Sequence, residues 1–177
     1  MVLKRMNTVE ATLETVFRDI AETRMAGLPI CNAALRVQAV GFREWQGHWV
    51  GVLVTPWTIS LALMPGDKSP LKTLGPDEKM SWEFPSGKYE FMALNEPALG
   101  TCQTCSLISP VIDIERHEDA VKIAEQVMDA LFVTDDSDAK RDAERKQMVE
   151  AARLRGEPVL DKPLSRRDFL RGSFLGM

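Results

Sequence analysis

The chain has 177 residues, with 22 Lys+Arg against 26 Asp+Glu and a formal net charge of −4. Apolar residues make up 45% and charged residues 27%, an average globular mix that excludes wholesale disorder and gives no basis for a nucleic-acid partner. The length fits one compact domain with an arm, and the longest apolar stretch, 50–64, carries Gly51, Thr55, Pro56, Thr58 and Ser60, too short and too polar for stable membrane insertion.

Residues 7–27 read as an amphipathic helix. Asn7 or Thr8 can cap it, Leu13, Val16, Phe17, Ile20 and Ala21 form one apolar stripe, and Gly27 and Pro29 end it. The polar start has no apolar leader, so export from that end is not expected. Residues 35–64 read as a β meander, with a turn at Gln46-Gly47 and Pro56 marking a strand end, bulge or edge. A loop follows over 65–79. Two short strands, 80–84 and 88–94, flank the turn Pro85-Ser86-Gly87. Residues 95–106 contain Cys102 and Cys105, and 107–114 is an apolar run. A second helix spans about 117–132 and buries Ala120, Ala124, Val127, Met128 and Leu131.

Composition shifts near residue 135. The segment 138–155 favours a charged, mostly solvated helix. Residues 153–177 carry six Lys/Arg against three Asp/Glu, a net of +3, which leaves −7 on the remaining 152. These features predict an α+β fold: an antiparallel sheet meander of about five strands, packed by an N-terminal and a later helix over 1–134, with a mobile helical arm and basic tail over 135–177. One sheet face is expected to be covered and the other open.

Three tryptophans fall within 41–57, at Trp45, Trp49 and Trp57, and Trp82 is the fourth. Such residues suit a core, or a groove that receives an apolar segment. Cys102 and Cys105 have the spacing of half a metal site or a redox dithiol. Cys31, His48 and His117 are the remaining Cys/His candidates, and none has ligand spacing. Pro110 argues against a helix opening at the pair, as a redox motif would require. Three cysteines fit a reduced, cytoplasmic compartment. No nucleophile elbow, phosphate loop or zinc helix is present in the sequence, so no catalytic residue, metal or cofactor is assigned.

Several stretches together carry a specific resemblance. They are Asn32-Ala33-Ala34-Leu35; Val40-Gly41-Phe42-Arg43 with Trp45, Gly47 and Trp49; Gly51-Val52-Leu53-Val54-Thr55-Pro56-Trp57; Phe84-Pro85-Ser86-Gly87; Glu96 with Leu99-Gly100; and Cys105-Ser106-Leu107-Ile108-Ser109-Pro110. In this order, over about residues 10–132, the chain resembles the HybE/HupJ family of nickel–iron hydrogenase assembly chaperones. The resemblance implies a cytosolic, non-catalytic helper acting on the hydrogenase small-subunit precursor before export. Some relatives carry an attached rubredoxin; this chain lacks the two Cys-x-x-Cys pairs of a rubredoxin iron site.

The tail adds a second signal. Ser165-Arg166-Arg167-Asp168-Phe169-Leu170-Arg171 matches the twin-arginine export motif Ser-Arg-Arg-x-Phe-Leu-Lys, with Arg171 in place of Lys. Only six residues follow it, too few for the apolar segment of a signal. The match is either incidental or a mimic of the client's signal. A chaperone reading such a signal needs an apolar groove for Phe-Leu and acceptors for two guanidiniums. The expected partner-binding residues are the exposed members of Trp45, Trp49, Trp57 and Trp82, with Phe84, and Glu44, Glu83 or Glu96 as acceptors. The expected partners are the small-subunit precursor and its twin-arginine signal peptide, the chain's own C-terminal tail, and other hydrogenase maturation factors. In the alternative reading, Cys102 and Cys105 make a redox or metal contact that protects the client's Fe–S clusters.

Overall fold

The computed structural model describes residues 2–67 and 69–134. The arm, the tail and the twin-arginine-like motif therefore lie outside the described residues. The order of elements is α1 (Val2–Glu22), β1 (Gln38–Trp45), β2 (His48–Val54), β3 (Ile59–Met64), β4 (Lys79–Phe84), β5 (Gly87–Leu94), β6 (Cys102–Ile108) and α2 (His117–Leu131). The fold is α+β with one antiparallel six-stranded sheet, ordered β1-β2-β3-β6-β5-β4.

Three expectations need correction. There are six strands, not five: the Cys102/Cys105 segment is itself β6, and it pairs β3 on one side and β5 on the other. Two three-stranded meanders thus meet back to back at β3–β6, which leaves β1 and β4 as the edges. Helix α1 begins five residues earlier than expected and ends at Glu22, so Asn7 and Thr8 lie inside it. Beyond Glu22 the chain widens into turns, with the Met25 N–H donating to Ile20 O at 3.0 Å, before Gly27 at φ +73°.

The open sheet face is the other correction. All residues of β2 and β3 are buried, because each sheet face has its own helix. Leu13, Phe17 and Ile20 of α1 cover Phe42, Trp49, Leu53 and Ala62. Ala120, Ala124, Val127, Met128 and Leu131 of α2 cover Val50, Val52, Val54, Ile59, Leu61 and Leu63 on the other side. Alternation along a strand sends successive residues to these two cores.

A bulge lets β1 serve both. Its register with β2 shifts between Val40 and Arg43, with Gly41 at φ +67°. Two positions apart, Val40 and Phe42 would share a face; the extra residue sends Val40 to the α2 side and Phe42 to the α1 side. The Phe42 ring then lies over Gly51, where a Cβ would meet it at 2.2 Å. The turn at Gln46 (φ 50°) and Gly47 (φ 81°) has the left-handed pair that a two-residue hairpin demands.

Candidate functional site

The four tryptophans divide between the two cores. Trp49 is buried on the α1 side, and Trp57 stacks on Phe17 of α1 with centroids 6.4 Å apart. Trp45 and Trp82 belong to the α2 side, and there they build a cluster. Trp45 ends β1 and Phe84 ends β4, at opposite edges of the sheet. Their rings nonetheless stack, 4.1 Å between centroids and 18° between planes. Trp82 meets Trp45 edge-on at 5.8 Å, and His48 meets Trp82 at 5.3 Å. Tyr89, Phe91 and Phe132 surround Phe84, and the Arg43 guanidinium lies 4.7 Å above the Phe132 ring.

The sheet therefore curls until its two edges touch through side chains, without a hydrogen-bonded ladder between β1 and β4. The Ser86 N–H donates to Leu131 O at 3.3 Å, pinning the β4–β5 turn to the end of α2. Phe84 is buried, while Trp45 and Trp82 stay half-buried along the seam.

Four residues of this cluster were not among the expected partner-binding residues. Gln103 is fully buried; its Oε1 accepts the Trp82 Nε1–H at 2.8 Å, and its Nε2 donates to Lys72 O at 3.0 Å. Trp82's indole N–H, which needs an acceptor once half-buried, was the only hint of it. His48 is buried with no partner for Nδ1 among the described residues, and desolvation holds its pKa below the usual value. Phe132 and Arg43 close the end of the cluster.

The edges differ in exposure. Along β1, the Ala39 N–H donates to Glu14 Oε1 at 2.9 Å, and the Phe42 N–H bonds the Glu10 carboxyl, whose pKa is raised mainly by burial against that bond. Helix α1 thus blunts this edge. The outward edge of β4 has no backbone partner among the described residues. Its residues alternate: Met80, Trp82 and Phe84 turn inward, and Lys79, Ser81 and Glu83 are exposed.

Of the expected guanidinium acceptors, Glu44 and Glu83 are exposed and flank the seam. Glu44 pairs in register with Trp49 and so faces away from Trp45; Glu83 stands opposite Lys88. Neither closes an ion pair among the described residues. Glu96 lies elsewhere, beside a shallow depression of about 330 Å³, and already holds the Arg24 guanidinium at 2.6 Å.

Strand β6 splits the cysteine pair. Cys102 packs in the α1-side core and Cys105 against the α2-side core. Three residues of extended chain separate their Cα atoms by about 10 Å, beyond disulfide reach. The Cys102 thiol donates to Leu99 O at 3.3 Å, and burial pushes its pKa to about 11. Among the described residues no group of three or more His, Cys, Asp or Glu could hold a metal ion, and no helix is long and apolar enough to cross a membrane.

The family model of the NiFe-hydrogenase assembly chaperone HybE matches residues 8–172. The chain belongs to this family. The hydrogenase expression/formation protein HupJ of Bradyrhizobium diazoefficiens is 36% identical over 157 residues, 89% of this chain and 83% of that protein. The probable rubredoxin HupJ of Rhodobacter capsulatus is 37% identical over 133 residues, 73% of this chain, and the match spans 48% of that longer relative. The solution structure of HybE from Escherichia coli has the same fold, with a TM-score of 0.57 and 24% identity over 70% of this chain and 76% of that one. In this chain the aromatic seam is built on that fold, and the family is one of hydrogenase assembly chaperones.

Proposed function

We propose that this chaperone holds the small-subunit precursor of a nickel–iron hydrogenase in the cytoplasm, through its twin-arginine signal region, until cofactor loading is complete. It works by binding and carries out no reaction of its own. The observation that carries this reading is the unpaired β4 edge beside the Trp45–Phe84 stack, with aromatic rings on one face and Glu83 on the other.

A signal peptide added as a strand at that edge would donate and accept main-chain hydrogen bonds, and its side chains would alternate between faces. In Ser-Arg-Arg-x-Phe-Leu-Lys the first Arg and the Phe are three apart, so an extended chain sends them to opposite faces. The Phe then meets Trp45 and Trp82, and the Arg meets the face of Glu83 and Glu44. A charge-assisted Arg–carboxylate hydrogen bond contributes about 1.5–3 kcal/mol, less when exposed. Covering the signal also blocks premature export.

Calorimetric titration of a synthetic small-subunit signal peptide into the full chain tests the reading. Binding is expected, weakened by Glu83→Lys and by Trp45→Ala. No binding to the full chain, nor to a chain whose tail motif has been altered, overturns it.

A further inference from the structure

We infer that the Ser165–Arg171 segment of this same chain docks at the β4 edge and the Trp45/Phe84 seam, as a built-in competitor for the client signal. The inference rests on the signal-binding reading for the identity of the competing ligand; the docking itself rests on three separate observations.

One is the place where the arm departs. Phe132 packs on Phe84 at 6.1 Å, and Leu131 O accepts the Ser86 N–H. The arm therefore leaves the body at the seam itself. Thirty residues, 135–164, separate Thr134 from the motif. As a flexible coil that length spans about 30 Å and can fold back on itself, so the motif can return to the seam.

Charge supplies another. The tail carries +3 and the remaining chain −7, and the two carboxylates flanking the seam, Glu44 and Glu83, lack ion-pair partners among the described residues. In an extended segment Arg166 and Phe169 fall on opposite faces, as Glu83 and Trp82 do in β4.

The family match is the third. It runs to residue 172 and so spans the motif. A tethered ligand has an effective concentration of order millimolar. Even a weak contact then covers the seam in the unladen chaperone, and a tighter client displaces it.

The test uses the full chain and the variant Arg166→Lys/Arg167→Lys/Phe169→Ala, which keeps the net charge and removes the guanidinium forks and the ring. Hydrogen exchange is followed over residues 79–89 without any peptide. The variant is expected to exchange several-fold faster there. A small-subunit signal peptide is expected to bind the variant roughly tenfold more tightly than the parent, as a competitor occupying most of the seam is lost. Identical exchange over 79–89 in the two proteins overturns the docking. Protection that vanishes on dilution also overturns it, because the tail of a second copy would then be the occupant. Faster exchange in the variant with no peptide binding to either protein supports the docking and overturns the signal-binding reading.

Discussion

Trp45 and Phe84 stack at 4.1 Å although they belong to the two outermost strands of a six-stranded sheet. The contact closes the sheet on itself around the α2-side core, and it does so at the point where one edge strand remains open to solvent. Removing either ring therefore has two separable effects. Phe84 is 3% exposed, and Phe84→Ala is expected to cost about 3–5 kcal/mol of stability. Trp45 is half-buried, and Trp45→Ala is expected to cost less stability and more peptide affinity. Urea unfolding beside calorimetric titration reads the two effects apart.

The half-buried Trp82 and the buried Gln103 form a donor–acceptor pair, 2.8 Å apart. Trp82→Phe keeps most of the apolar area but leaves Gln103 Oε1 without its donor, a loss of about 1–3 kcal/mol. The double variant Trp82→Phe/Gln103→Leu is expected to recover part of that loss, because both polar partners are then gone. A double-mutant cycle from denaturation midpoints measures the coupling.

Gly51 lies under the Phe42 ring, and Gly51→Ala would put a methyl 2.2 Å from it. The ring must shift from its place against α1, at a cost of about 1–3 kcal/mol. Thermal unfolding is expected to show a fall in Tm, and Gly51→Ala/Phe42→Leu to restore part of it.

Two buried histidines set the response to acid. His117 Nδ1 accepts the Arg36 N–H at 3.4 Å, and with Nε2–H donating to Gln38 Oε1 at 2.8 Å the ring is neutral. Desolvation, with Arg36 adding to it, lowers the His117 pKa; desolvation lowers that of His48. Above the usual pKa of about 6.5 both folded and unfolded chains hold these rings neutral, and stability is unaffected. Below it the unfolded chain binds protons that the folded chain resists, so stability falls with pH until the lowered pKa is passed. Urea midpoints are expected to drop between pH 7.5 and 5.5, and His48→Phe to shrink that drop.

Thiol chemistry separates the two cysteines. With its pKa near 11 and its Sγ buried, Cys102 is expected to resist thiol reagents at pH 8 until the chain unfolds, and Cys105 to react first. Mild oxidation is expected to leave the pair without an internal disulfide. Mass mapping of labelled peptides checks both outcomes.

Much of the architecture was legible along the chain because its signals are local. The α2 stripe Ala120-Ala124-Val127-Met128-Leu131, the Gln46-Gly47 turn and the Pro85-Ser86-Gly87 turn each follow from neighbours a few residues apart. The α1 start was missed because Asn7 and Thr8 look like caps whether or not the helix continues past them. Strand β6 is hard to read from the chain because Cys102–Ile108, with Cys102 and Gln103 both buried and Ser106 exposed, lacks clean polar alternation.

The sequence by itself determined the family resemblance, the α+β class, the helical stripes and the acidic-body, basic-tail asymmetry, since these depend on residue identity and short-range spacing. Only the tertiary structure decided which tryptophans act together. Trp45 and Trp82 are joined by the curl of the sheet, while Trp49 and Trp57 go to the opposite core. Strand parity alone cannot assign those faces, because one bulge at Gly41 reverses every inward position that precedes it relative to those that follow. The same holds for the carboxylates. Glu96 holds Arg24 while Glu83 has no ion pair among the described residues, because the distance from a carboxylate to an arginine 72 positions earlier is set by packing and not by the chain between them.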